Sequence, residues 1–176
     1  FEMAEMDNTK STDSPSAQPA DEAQQPVFQL QRCYLKDASL EMPHAPEILM
    51  QPQSEQPQVD IQFEVSQRVV AADLVDVTVR GTITVKTGSK VIILVEGKQS
   101  GVFAIHGIPA EAFPHLTNVL CPSMVYPYLR ANLADMMTRA NVPPVHLPEV
   151  NFEALYQQRL AQAKAEEKTP EATAEA

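Results

Sequence analysis

Tryptophan is absent from this chain, glycine is limited to 5 residues and cysteine to 2, and aromatics make up only 6% of the 176 residues. The two cysteines, Cys33 and Cys121, are too few for a disulfide framework, which fits a reducing compartment. No apolar run approaches the roughly 18 residues of a membrane span. No basic start leading into an apolar stretch marks a secretory signal either. The expected location is the cytoplasm. Basic residues are scarce too, 13 Lys and Arg against 23 Asp and Glu, and they are nowhere clustered as a phosphate backbone requires. Nucleic acid is therefore not an expected partner.

Catalytic and metal-binding patterns are also missing. His44, His106, His115 and His146 are isolated from one another, and no HExxH, CxxC or carboxylate cluster gives ligand spacing. Gly97-Lys98 lacks the remainder of a phosphate-binding loop and follows no βαβ pattern. Cys121 precedes a helix, where the dipole can activate a thiol, but a small buried cysteine is the better reading. No nucleophile, base and orienter occur together, so neither an enzyme nor a cofactor is expected.

Charge and apolar content divide the chain into three parts. Residues 1–26 hold Glu2, Glu5, Asp7, Asp13, Asp21 and Glu22 against Lys10, with almost nothing to bury, and are expected to be a disordered acidic tail. Residues 161–176 are rich in Ala and Glu and should extend a helix briefly, then fray. The ordered domain is expected over 27–160.

Within it, β-prone alternation appears four times. Residues 27–41 place Phe28, Leu30 and Tyr34 on one parity, with Leu35 and Asp37 on the other. Residues 58–66 set Val59, Ile61, Phe63 and Val65 against Asp60, Gln62 and Glu64; residues 75–86 alternate more cleanly still. One dry and one wet face imply an antiparallel sheet. Thr87-Gly88-Ser89 reads as a hairpin turn into residues 91–99. There Val91, Ile93 and Val95 continue the dry face, while Ile92 and Leu94 put apolar groups on the face of Glu96. Another subunit, a binding contact or a covering loop would each account for that pair.

Between the first two strands, residues 42–58 carry Pro43, Pro46, Pro52 and Pro57, which rule out a regular helix, yet they enclose Ile48, Leu49 and Met50. A long loop with an apolar triplet covers something or binds something. After Gly107 the pattern turns helical. A short helix is expected over 110–119, a second from about Pro122 with Pro127 bending it, and an end at Asn141 before Pro143-Pro144. Asn151 should cap a last helix with Phe152, Leu155, Tyr156 and Leu160 on one stripe. Two helices, the loop triplet and the Ile92/Leu94 pair exceed what one sheet face can bury. Self-association and a groove for apolar ligands are the physical outlets. The residues alone reach an acidic, oligomeric α+β binding protein.

Four segments occur in order over residues 28–156: FQLQRCYLKDASLEMPHAP, VFAIHGI, CPSMVYPYLRANLADMMTR and PPVHLPEVNFEALY. Together they resemble the SecB family of bacterial protein-export chaperones. The resemblance implies an α+β fold: a four-stranded antiparallel sheet with helices packed on one side, assembling as a dimer of dimers. It implies an ATP-independent cytoplasmic chaperone without a cofactor, which holds precursor proteins unfolded and delivers them to the translocation ATPase SecA. By this resemblance, client contacts fall on Ile48, Leu49, Met50, Val59, Ile61, Phe63, Leu155, Tyr156 and Leu160. SecA contacts fall on Asp37, Glu41, Leu94 and Glu96, any zinc belonging to SecA's own tail. The homotetramer contact is expected on Leu129, Leu133, Met136 and Met137, the surplus apolar face of the long helix. The chain departs from the family in a longer loop without an aromatic, in Gln157 and Arg159 where apolar residues can stand, and in Ser100-Gly101 in place of paired glycines. A non-chaperone scaffold or adaptor of the same fold is the other reading.

Overall fold

The computed structural model describes residues 25–50 and 55–167, so most of the acidic segment 1–26 and the end of the 161–176 tail lie outside it. Four antiparallel strands form one sheet: β1 (Val27–Glu41), β2 (Gln58–Ala71), β3 (Leu74–Thr87) and β4 (Lys90–His106), in the order β1-β4-β3-β2. The second and fourth strands thus run well past the expected 58–66 and 91–99. Thr87 pairs with Lys90, and Gly88 takes a φ of +55° in the two-residue turn between them. That left-handed conformation is what glycine supplies in a tight hairpin.

Strand order dictates the crossover. β1 ends on one edge of the sheet and β2 begins on the other, so residues 42–57 must traverse its width. The crossover contains one helical turn, α1 (Glu47–Met50), in the stretch between its prolines.

Odd-numbered residues of β3 (Val75, Val77, Val79, Ile83, Val85) and of β4 (Ile93, Val95, Phe103, Ile105) form the buried face of the sheet. It is covered by α3 (Cys121–Arg139), which lays down Cys121, Val125, Leu129, Leu133 and Met137 at every fourth position. At the cross-strand pair Gly81 and Gly97 the helix lies close against the sheet. A Cβ on either would lie 3.1 or 2.9 Å from a leucine methyl of Leu133, and 3.1 or 3.3 Å from one of Leu129.

Instead of two separate helices, residues 113–139 form one continuous helical segment: α2 (Phe113–His115), a π-helical turn (Leu116–Leu120) and α3. In a regular helix the Pro122 ring would strike the carbonyl of Asn118, and the wider turn just before it relieves that clash. Pro127 lies within α3 on its exposed side, where water can serve the freed carbonyl. α3 ends where expected. Asn141, at φ 58°, directs its N–H to the Thr138 carbonyl (3.0 Å) and that of Val142 to Met137 (3.1 Å), a Schellman ending. α4 (Phe152–Glu167) then begins with the Asn151 side chain accepting from the Ala154 N–H at 3.0 Å, and it continues past Leu160.

Three bulges overturn the simple parities. Gln31 and Lys36 are extra residues in β1, so Tyr34 faces away from the helices and Leu35 takes the helix-side face. Ile92 is the extra residue in β4, where Val85 pairs with Ile93 and Lys86 with Val91. Ile92 is buried in the same apolar cluster as Ile48, while Val91 is only half-buried.

Candidate functional site

β2 presents Val59, Ile61, Phe63 and Val65 along the helix side of an outer strand, Val59 exposed and the other three half-buried. Phe63 meets the edge of the Tyr126 ring (5.6 Å between centroids), and Tyr126 in turn meets Phe152 (5.6 Å). This aromatic ladder ties the strand to α3 and to the start of α4. The Tyr126 hydroxyl donates to the Pro148 carbonyl, and burial raises its pKa, against a smaller lowering by Arg130. Beyond the ladder, Val65, Asn118, Phe152, Leu155, Tyr156 and Arg159 line a narrow cleft. Leu155 and Leu160 are exposed on α4.

His115 fixes α4 against the π-helical turn. Its Nε2 lies 2.6 Å from the Glu153 carboxylate, which also accepts from Gln157 at 2.9 Å, and its ring meets Tyr156 edge-on (6.2 Å). The bonds from Gln157 and then His115 hold the Glu153 carboxyl below its ordinary range. Strand and helix residues expected to meet clients thus border one apolar surface. Half-buried Val65 also belongs to it, and buried Tyr126 and Phe152 support it from beneath, without having been singled out. Their signal was present: Val65 continues the β2 alternation, and Phe152 opens the α4 stripe.

The loop triplet divides. Ile48 is only 5% exposed and anchors the crossover in the core, so it has no surface for a client. Leu49 and Met50 project outward, Met50 at 83% exposure. The expected tetramer contact needs a larger correction. Leu129, Leu133 and Met137 have no exposed surface within one chain, because the close approach at Gly81 and Gly97 seats them on their own sheet. Met136 is half-buried. The apolar residues that α3 leaves outward are Met124, at 40% exposure, and Tyr128, at 52%, continuing a four-residue spacing from the exposed Leu120. One helix carries two adjacent apolar stripes, and periodicity alone does not say which of them the sheet takes.

On the opposite face of the sheet, register brings Asp37, Glu41, Leu94 and Glu96 together. Glu41 pairs with Leu94, Ser39 with Glu96 and Asp37 with Lys98. Two of these carboxylates, Asp37 and Glu96, are paired with cations. Lys98 lies 3.3 Å from Asp37 and 4.0 Å from Glu96, while Arg80 reaches Glu96 at 2.5 Å and Glu64 at 3.4 Å. The Arg80 hydrogen bond chiefly holds the Glu96 carboxyl below its ordinary range. Further along this face, Asp76 is 2% exposed beneath Tyr34, Lys36 and Arg68, with Lys36 at 3.0 Å and Arg68 at 3.8 Å. Tyr34 and Lys36 in this cover are placed by the β1 bulges, and Arg68 lies opposite Asp76 in the β2–β3 register. Cys121 is buried, and desolvation pushes its thiol up to about 12, which leaves no thiolate for nucleophilic chemistry.

Residues 21–163 match the family model described as Preprotein translocase subunit SecB. The chain belongs to the SecB family. Among curated relatives, Protein-export protein SecB of Paraburkholderia phymatum is 47% identical over 148 residues, covering 84% of this chain and 94% of the relative. That of a Janthinobacterium strain is 50% identical over 141 residues, covering 80% and 85%. A solved SecB-like chaperone from Mycobacterium tuberculosis, in complex with a ChAD peptide from the HigA1 antitoxin, superposes with a TM-score of 0.57 at 17% identity, covering 70% of this chain and 90% of that one. That last likeness is one of fold. SecB proteins are export chaperones rather than enzymes.

Proposed function

We propose that this SecB-family chain holds precursor proteins unfolded in the cytoplasm, without ATP, and hands them to SecA. One observation carries the reading: the apolar row Val59, Ile61 and Phe63 on an outer strand continues over an aromatic ladder to exposed Leu155 and Leu160 on α4. A contiguous apolar surface of that kind on an acidic chain needs an occupant. The M. tuberculosis relative, solved with a peptide bound, supports peptide capture on this fold. The client contacts are Leu49, Met50, Val59, Ile61, Phe63, Leu155, Tyr156 and Leu160, with Ile48 acting behind them as the loop's anchor. Stoichiometric suppression of aggregation of an unfolded protein, without nucleotide, tests this. Ile61→Asp and Tyr156→Asp should weaken it while folding is retained. Wild-type holding in both variants would move the groove elsewhere, and no holding by the wild type would leave a scaffold of the same fold.

The assembly belongs to the same proposal: a homotetramer, a dimer of dimers, with the outward Leu120, Met124 and Tyr128 stripe and half-buried Met136 on the side available to a second copy. SecA is proposed to dock on the face of Asp37, Glu41, Leu94 and Glu96, through a small basic module seated around Leu94.

A further inference from the structure

The sheet face turned away from the helices is charged unevenly. Glu41, Leu94 and Glu96 lie toward one end of it. Toward the other end, register sets one row across all four strands. Arg32 of β1 stands opposite Val102 of β4, Val102 opposite Asp76 of β3, and Asp76 opposite Arg68 of β2. Lys36, the second bulged residue of β1, reaches into this row to Asp76 at 3.0 Å. Arg32, Lys36 and Arg68 are all exposed, and among the described residues Arg32 has no ion pair. The described acids at this end are Asp76, buried beneath Lys36 and Arg68, and Asp73, out in the β2–β3 turn. Lys36, Ser66 and Arg68 border an open cleft beside Asp76.

We infer that the acidic segment 1–24 of the same chain docks on this cationic end, as an intramolecular cover over Arg32, Lys36 and Arg68. The inference does not depend on the holding role. Charge, place and reach select that occupant. The segment holds six acids against Lys10. It joins the described chain just before Val27, which pairs with His106 at the cationic end of the sheet, whereas Glu41 and Leu94 pair at the other. Glu22 stands five residues before Val27 and Arg32 five after it, so a reversal at Pro26 sets the two level. Asp13, farther out, spans roughly 20 Å as a flexible chain, more than the roughly 15 Å from β1 across to β2. Other occupants fit less well. Residues 168–176 also hold acids, but they follow α4, on the opposite side of the sheet. A second copy laid face to face would bury the charges of both sheets, which is costly. Exposed ion pairs are individually weak, yet a tether of a few residues presents these acids at an effective concentration of about millimolar. The cover makes the face selective: basic partners find the Glu41, Leu94 and Glu96 end open, and acidic ones find the cations taken.

Zero-length carbodiimide coupling of the full chain, read by peptide mass spectrometry, tests the inference, because it joins a lysine amine only to a carboxylate in contact with it. At low salt, Lys36 should couple to Asp21 or Glu22 at least about fivefold more often than Lys98 does, and about 0.5 M NaCl should remove most of that excess. Arg32→Gln with Arg68→Gln, both at exposed positions, should cut the Lys36 coupling about threefold while far-UV circular dichroism stays unchanged. Carboxylates of the segment coupled equally to Lys36 and Lys98, or to neither, would overturn the inference, as would coupling untouched by loss of both arginines. In a mixture of isotopically light and heavy chains, coupling within one chain supports it. Coupling chiefly between light and heavy chains would overturn it and assign the cationic end to the acidic segment of a second copy.

Discussion

At Gly101 the sheet has no room for a side chain. A Cβ there would lie 2.7 Å from the Phe103 ring and 2.8 Å from a Val125 methyl, both fully buried. Gly101→Ala should therefore cost about 1–3 kcal/mol, read as a lower denaturant midpoint. The neighbouring Ser100 points to the other face and lies 2.6 Å from the Thr78 hydroxyl, which explains how one glycine of the family's pair can be replaced. Single residues also set the acid limit of the fold. The Glu96 and Glu153 carboxyls titrate below their ordinary 4.5 in the folded chain. Their contribution is complete above the unfolded value and is lost as pH falls through the folded one. Glu96→Gln should lower stability at neutral pH and flatten its decline between about pH 5 and 3, measured by urea unfolding at stepped pH.

At the scale of elements, α3 separates two roles that one apolar pattern had merged. Leu133→Asp should unfold the chain, because it buries an unpaired charge against the sheet; loss of far-UV circular dichroism checks this. Met124→Glu with Tyr128→Glu should instead leave the fold intact and lower the mass seen by light scattering. The contrast shows how far the sequence could be read. Alternation located all four strands and the dry face of β2 and β3, and cap residues located the ends at Asn141 and Asn151. Bulges at Gln31, Lys36 and Ile92 were not legible, since an inserted residue leaves composition unchanged and only shifts parity. The helix stripes were both visible, but their assignment depended on Gly81 meeting Gly97 across two strands, a fact of register.

For the whole molecule, binding is expected to be multivalent. Several weak apolar sites facing one unfolded chain raise effective concentration, so a long client should bind at least about a hundredfold more tightly than any ten-residue piece of it, measurable by calorimetry. On the opposite face, Glu96→Lys should weaken SecA docking most at low salt while client holding persists, since exposed charges act chiefly on encounter. Because Arg80 and Lys98 already neutralise part of that face, the effect should be modest for Asp37 and larger for Glu96, which sits between both cations.

Strand order has a consequence for how the chain is made. Of the four strands β1 is synthesised first, but among the described residues it pairs only with β4, whose residues are 90–106. β2, β3 and β4 are successive hairpin neighbours and can zip locally as they leave the ribosome. The earliest strand is thus the last to find its place, and until Lys90 and its successors emerge it waits with its pairing edge bare. Through that interval a protein that keeps other chains from folding too soon is itself an unfinished chain with an unpaired strand.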